Sequence, residues 1–316
     1  TELNPALLVL AGPDAAAAAE AAENPDGAEA APLPLHALRM IDTRAKLAID
    51  TVVLGAHRLE SVKAELRIVD GVATLKPVTA TVHGGAIAFE AQLDGHYNTA
   101  KLSTKGGVTD FDIGRAVAAL ESGLAASGVA GLNWSLNGAG TTSAELTRSL
   151  AGPIDFDTDN ITLKGFAMEQ MFCQAVALVN QESLVAEFPQ DTRFDALSAK
   201  VQLSDGVARL DPLTAKLAAA TLTGNGTLGI ESQDLRASIR AQLSAELGEL
   251  DPACRINERY TQLRWPVECS GNLAGDPAGW CGVDTEEIVK DLAENEAKRR
   301  VEDEAGKLLN KLFKKD

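Results

Sequence analysis

The stretch that decides the fold is LRIVDGVATLKPV at residues 66–78, which returns as VQLSDGVARLDPL at residues 201–213. Asp70 corresponds to Asp205, an offset of 135 positions. In the strand leading into each Asp-Gly, apolar and polar side chains alternate, as they do on a strand with one apolar face. Glycine supplies the positive φ of a tight hairpin at no steric cost. The repeat therefore predicts two β-hairpins, each followed by further strands.

The composition indicates a folded chain that does not bind nucleic acid. The 316 residues are 45% apolar, which is enough for a core in one large all-β domain or two ordinary ones. Lys and Arg number 29 against 45 Asp and Glu, and the net charge of −16 repels a phosphate backbone. No stretch approaches the roughly 18 uninterrupted apolar residues that span a bilayer.

Alternation, turn residues and helical spacing predict the remaining elements. The predicted strands lie at residues 45–53, 60–68, 72–75, 79–83, 86–93, 100–108, 132–136, 154–157, 161–164, 219–223, 226–230 and 235–243. A short helix is predicted after an N-cap at Asp110, and two more at residues 143–150 and 166–187. The stripe of the last one is predicted to cap one end of the sheet. Glycine and serine favour a loop at residues 123–131.

The pattern divides the chain into three parts. Residues 1–34, rich in Ala and Pro, predict a flexible loop or linker. Residues 35–283 predict one β-rich domain with repeat units at about 35–135 and 190–250. Residues 284–316 predict an amphipathic helix, either solvated or touching a membrane or partner.

The four cysteines favour disulfides over a metal site. Cys254, Cys269 and Cys281 lack CxxC spacing and a nearby His. Three pairings are possible, and Cys269–Cys281 with Cys173–Cys254 is favoured because the first closes a short loop. Disulfides imply an oxidising compartment, whereas four buried thiols in the cytosol are the alternative.

Motifs for catalysis and cofactors are weak. The GxGxxG at residues 224–229 is followed by more strand pattern, so a turn is expected there and not a nucleotide site. Asp155, Asp157 and Asp159 resemble half of a calcium loop, but Phe166 stands where a bidentate Glu is needed. Cys173 has no His near it in sequence. We therefore expect no catalytic residue, no metal and no cofactor.

Four segments together resemble the C-terminal region of the AsmA family. They are DGVATLKPVTATVHGG at 70–85, VTDFDIGRAVAAL at 108–120, LNGAGTTSAELTRSLAGPIDF at 136–156 and CRINERYTQLRWPVECSGNLAGDPAGWC at 254–281. The resemblance implies the periplasmic part of an inner-membrane protein, whose single N-terminal membrane anchor lies outside this chain. It also implies an elongated, groove-forming β protein related to bridge-like lipid transfer proteins, associated with outer-membrane assembly and phospholipid traffic.

The expected fold is mainly β, an elongated curved antiparallel sheet forming a groove or a flattened sandwich, with short helices at its ends. Its apolar face must be covered, either by protein or by the acyl chains of a lipid. The candidates to line a lipid groove in the first copy are Val62, Leu66, Ile68, Ile87, Phe89 and Leu93. Those in the second copy are Leu197, Val201, Leu203, Leu222 and Leu228. Ordinary core packing is the alternative for each of them.

The function predicted from these observations is non-enzymatic. We expect a periplasmic protein of outer-membrane biogenesis that carries phospholipid through an apolar groove, with outer-membrane assembly components as further partners. A scaffold for the assembly of outer-membrane proteins is the first alternative. A carbohydrate- or peptidoglycan-directed hydrolase is the second, and it would need a pair of carboxylates about 5–10 Å apart in a cleft.

Overall fold

A computed structural model of the chain describes residues 2–3, 32–54, 56–119, 124–256, 263–288 and 290. Its strands are β1 (Glu2–Leu3), β2 (Thr43–Leu54), β3 (His57–Val69), β4 (Val72–Val82), β5 (Gly85–Asp94), β6 (Ala100–Asp112), β7 (Ala125–Gly140), β8 (Gly152–Lys164), β9 (Thr192–Ser204), β10 (Val207–Leu217), β11 (Ala220–Gly229), β12 (Asp234–Leu243), β13 (Trp265–Asn272) and β14 (Cys281–Val283). The helices are α1 (Leu35–Met40), α2 (Ile113–Ala119), α3 (Ser143–Arg148), α4 (Met168–Asn180) and α5 (Leu247–Leu250), with 3₁₀ turns at Pro252–Cys254 and Pro277–Gly279.

All fourteen strands belong to one sheet, in which their spatial order is their order in the sequence. From β2 to β14 every neighbouring pair is antiparallel, while β1 adds a short parallel pair beside Thr51 and Val52. The sheet is open, because its first and last strands do not pair with each other. The expected fold class, a mainly β protein built on a curved antiparallel sheet with short helices, is confirmed.

The repeated stretch forms the two predicted hairpins, β3–β4 and β9–β10. Asp70 and Gly71 have φ of 49° and 74°, and Asp205 and Gly206 have 50° and 71°. Positive φ at both central residues is the geometry of a type I′ turn, whose twist matches that of the strands.

Several predicted breaks are bulges inside longer strands. Pro77 lacks the N–H that a ladder needs, so the register shifts between Leu75 and Val78, yet β4 continues as one strand where two were predicted. Residues 154–157 and 161–164 also join, around Asn160 with φ of 56°, into the single strand β8.

Two glycine-rich segments predicted as turn or loop are strands instead. The GxGxxG at residues 224–229 lies inside β11, and most of the predicted loop at residues 123–131 belongs to β7. Glycine marks these positions because neighbouring strands approach closely. A Cβ on Gly224 would stand 2.3 Å from the carbonyl oxygen of Ser238.

The helices begin and end where side chains satisfy their backbone groups. Asp112, and not Asp110, accepts from the N–H of Arg115 at the start of α2, and Thr142 accepts from that of Glu145 in α3. α4 stops at Asn180 because Gln181 takes the left-handed conformation, with φ of 58°, so the predicted extension to residue 187 is wrong.

The remaining predictions concern the ends of the chain. Within the described residues, no helix is long and apolar enough to cross a membrane. The predicted linker at residues 1–34 and the predicted helix at 284–316 lie largely outside those residues.

Two disulfides join the four cysteines. Cys173 in α4 pairs with Cys254, and Cys269 pairs with Cys281 across β13 and β14. This is the pairing that the sequence favoured. The first bridge fixes α4 to the 3₁₀ turn at Pro252–Cys254, and the second fastens the short strand at the edge of the sheet.

Candidate functional site: the apolar face of the sheet

The strand register sorts the side chains onto two chemically distinct faces. Directly opposed residues of antiparallel neighbours project to the same side of a sheet. One row of such partners crosses the sheet from β5 to β13 and contains only apolar residues and glycine. Its members are Ile87, Val108, Leu132, Phe156, Ala199, Leu213, Gly224, Ile239 and Val267. We call the side that this row occupies the apolar face.

The apolar face carries no formal charge over the described residues between Leu59 and Leu243. Its polar members are threonines, and Thr104 accepts a hydrogen bond of 3.2 Å from Nε1 of Trp134. The opposite side, the polar face, carries ion pairs such as Glu90 with Lys76 at 3.2 Å and with Lys105 at 3.9 Å. A surface without charges favours hydrocarbon over any polar ligand.

Part of the apolar face is covered by α4. Phe172 and Val176 of this helix are fully buried and pack in one cluster with sheet residues that include Leu222 and Trp265. α4 therefore fills the space above the C-terminal strands, as the predicted helix stripe was expected to do at one end of the sheet.

A second buried cluster lies on the first strands, β2 to β5. Val62, Ala64, Val78 and Ala80 are between 4% and 9% exposed, although the described residues packed against them all belong to the same sheet. The described part of this cluster therefore consists of side chains from the sheet alone.

Beside both clusters, toward the ends of the strands that carry the two Asp-Gly turns, lies a band of half-buried apolar side chains. We call it the open band. It contains Leu66, Ile68, Leu75, Leu93, Leu102, Trp134, Leu136, Ile154, Val201, Leu203, Leu210, Leu228 and Leu235. In the strand ladders these residues pair with one another or with alanine, glycine and threonine, so the band extends from β3 to β12.

The predicted lipid-groove residues fall into three settings. Those in the open band are Leu66, Ile68, Leu93, Val201, Leu203 and Leu228. Ile87 and Phe89 are half-buried beside the second cluster, on β2 to β5, of which Val62 is a buried member. Leu197 and Leu222 pack in the cluster beneath α4 and are core residues of the described structure.

Other residues of the open band were not predicted. Phe89 and Trp134 approach across the intervening strand, with ring centroids 6.1 Å apart, because Gly106 between them has no side chain. Alternation within one strand shows that Trp134 and Leu136 share a face, but only the register shows that this face joins that of Leu93. The pairing of distant strands was the missing information.

The other motifs weighed in the sequence have structural explanations. Asp155 and Asp157 project to the polar face, where their strand partners on β9 are Lys200 and Ser198. Cys173 forms a disulfide with Cys254 and cannot act as a nucleophile in that state.

Comparison of the sequence with known proteins identifies similarity to one family. The model of the AsmA family matches residues 13–213. Protein AsmA of Escherichia coli (strain K12) is 22% identical over 264 residues, which cover 78% of this chain and 40% of that protein. The chain therefore spans well under half of the length of this curated relative. No solved structure matches significantly.

Proposed function

The chain belongs to the AsmA family, and on that premise we propose that it is a non-enzymatic periplasmic component of outer-membrane biogenesis that carries the acyl chains of phospholipids on its open band. The observation that supports this proposal is a half-buried apolar band without charged side chains, which extends over the described strands from Leu66 on β3 to Leu235 on β12.

The dimensions and energetics suit a lipid tail. Ten neighbouring strands at ~4.8 Å spacing extend over about 43 Å. One leaflet of a bilayer is about 15 Å of hydrocarbon, so the band is long enough for acyl chains lying along it. Each CH₂ transferred from water to such a surface gains roughly 0.8 kcal/mol, and no specific contact is needed.

The two disulfides support the compartment in this proposal. Paired cysteines are typical of the periplasm and rare in the cytosol. An anchor in the inner membrane, supplied by a part of the protein outside this chain, would hold the sheet in that space.

Native mass spectrometry of the full chain purified from membranes tests the proposal. We expect bound phospholipid on the unsubstituted chain and none on Leu136→Lys, which places a charge at the centre of the open band. Ser135→Lys is the matched control, because Ser135 is exposed on the polar face one residue away. This control should keep the lipid.

Two outcomes would contradict the lipid assignment. One is an unsubstituted chain that carries no lipid, and the other is a Leu136→Lys variant that carries as much as the Ser135→Lys variant. A lipid-free chain that retains an unfolded outer-membrane protein instead would support the scaffold alternative.

A further inference from the structure

Two histidines meet where the apolar face ends. His57 begins β3, and its side chain is two positions from Leu59 and so projects to the apolar face. His83 lies in the turn between β4 and β5, at the same edge of the sheet. Nδ1 of His57 lies 2.8 Å from Nε2 of His83, and the two rings are nearly perpendicular at 85°.

A third basic group stands over the same turn. Arg115 of α2 extends its guanidinium to the turn at Gly84, where a Cβ would stand 3.9 Å from Nη1. Its Nε lies 3.5 Å from a carboxylate oxygen of Asp112, and the side chain is two-thirds exposed. The two imidazoles and the guanidinium, opposed by one carboxylate, form what we call the histidine rim.

The basic groups of the histidine rim favour the binding of an anion. Burial lowers the pKa of His83, the positive charges of His57 and Arg115 lower it further, and the Asp112 carboxylate raises it. A bound anion would offset the repulsion among the three basic groups and favour protonation of the pair.

The hydrogen bond between the rings and the number of bound protons determine how many outward N–H groups the histidine pair can donate. In the neutral pair one ring donates to the other, and only one of the two outward nitrogens carries a proton. One additional proton gives both outward nitrogens an N–H while the bond between the rings is kept. The singly charged pair thus offers an N–H at each of its two outward ends, and either one can donate a charge-assisted hydrogen bond to a phosphate oxygen.

The rim also connects to the open band. Val82 precedes His83 and is half-buried on the apolar face, and Ile87 and Phe89 continue from it along β5. Phe89 then contacts Trp134 of the open band. A molecule with a phosphate at the rim can therefore extend an acyl chain along uncharged, partly exposed side chains.

We propose that His57, His83 and Arg115 form a seat for the phosphate of a phospholipid headgroup, whose acyl chains lie toward the open band. The proposal rests on the lipid function proposed above and assigns it a headgroup site. Binding takes up one proton, so the affinity for the phosphate increases as the pH falls.

Calorimetric titration of the full chain with three short ligands tests this site. They are dihexanoyl phosphatidylglycerol, dihexanoylglycerol without phosphate, and glycerophosphoglycerol without acyl chains. We expect the phospholipid to bind about tenfold more tightly at about pH 6 than at about pH 7.5, as one charge-assisted hydrogen bond allows. Titration in two buffers of different ionisation enthalpy should show about one proton taken up per lipid.

Substitutions locate the effect. His57→Gln and His83→Gln should abolish the pH dependence, and Arg115→Gln should weaken binding about tenfold at both pH values. His96→Gln is the control, because this histidine lies at the opposite ends of the strands and bonds Asp94 at 2.7 Å. It should behave as the unsubstituted chain does.

The ligands separate failure of the rim from failure of the lipid function. If dihexanoylglycerol binds as tightly as the phospholipid at both pH values, the rim is not a phosphate site, while the open band still holds lipid. If neither acylated ligand binds, both proposals fail. Binding of glycerophosphoglycerol with the affinity of the phospholipid would show an anion site unrelated to lipid and would overturn the headgroup assignment.

Discussion

Gly106 illustrates how a single missing side chain shapes the apolar face. A Cβ at this position would stand 2.3 Å from the Cβ of Phe89, well inside normal contact. The absence of that atom allows Phe89 and Trp134 to meet over β6. Glycine here is thus a packing requirement, although its φ is that of an ordinary strand residue.

Gly106→Val should therefore destabilise the chain by about 1–3 kcal/mol, because overpacking displaces Phe89 or the strand. Urea denaturation measures the loss. Gly282→Val is the matched control, since Gly282 also lies in a strand and a Cβ there would meet nothing within 4 Å. Equal losses in the two variants would show that strand glycine in general, and not the Phe89 contact, determines the effect.

Asp251 is a carboxylate almost completely removed from solvent. It accepts hydrogen bonds of 2.8 Å from the N–H groups of Val185, Ala186 and Ala253. These three donors favour its charged form and hold its pKa below the usual value. The residue therefore joins the segment after α4 to the segment after α5.

The pH dependence of this contribution follows from the lowered pKa. The carboxylate stabilises the fold fully above the unfolded-state pKa of about 3.9, and this stability is lost as the pH falls through the lower pKa of the folded state. Asp251→Asn should lower the urea midpoint at neutral pH and reduce its decline in acid. Glu249→Gln, at an exposed site nearby, should change neither. An unchanged acid decline in Asp251→Asn would contradict the assignment.

At the scale of elements, α4 is the described helix that buries the most side chains against the sheet, and a disulfide holds it there. Cys173 and Cys254 are 81 residues apart, whereas Cys269 and Cys281 are 12 apart. A longer closed loop restricts the unfolded chain more, so the first bridge should contribute more to stability.

Paired alanine variants test this difference. Replacing Cys173 and Cys254 should cost about 4.5 kcal/mol, and replacing Cys269 and Cys281 about 3 kcal/mol, in the chain-entropy description of disulfides. Urea denaturation of both variants in one buffer gives the comparison. A larger loss for the second pair would mean that native-state effects outweigh loop closure.

The elements also show what local sequence can and cannot predict. The Asp-Gly turns were predicted because the conformation they need depends on two adjacent residues. The end of α4 was missed, because Asp251, far along the chain, binds the amide groups that follow the helix. The single strand β4 was missed as well, since Pro77 interrupts the ladder without ending it.

At the scale of the whole molecule, each strand contacts chiefly the strands before and after it in sequence. Stability in such an arrangement is expected to be largely local, as in repeat proteins, because each described strand pairs only with its neighbours in sequence. α4 adds a second layer over the C-terminal strands alone.

Hydrogen exchange should therefore be uneven along the sheet. We expect the amides of β10 to β12 to exchange more slowly than those of β4 to β6, because both sets are paired on two sides but only the first contributes buried residues to the cluster with α4. Mass spectrometry of exchanged peptides measures this. Added phospholipid should slow exchange in β4 to β6, and uniform exchange across all six strands would contradict the argument.

The candidate site was predictable only in part at this scale. Alternation located apolar positions such as Leu66, Leu93 and Val201, and the repeat placed them in equivalent hairpins. Whether α4 covers a given position depends on where the helix lies on the sheet, which is why Leu222 is core and Leu228 is not. Local patterns contain no information on that placement.

Because the strands of this sheet follow one another in sequence order, the length of the sheet depends only on the number of its strands. Every further hairpin lengthens it by about 10 Å and touches only one existing strand, so copying a segment extends the curve and leaves the remainder as it was. The sequence similarity between residues 66–78 and 201–213 is the kind that duplication of a hairpin produces. Duplication of hairpins can therefore adjust the length of such a sheet to the distance that it has to span.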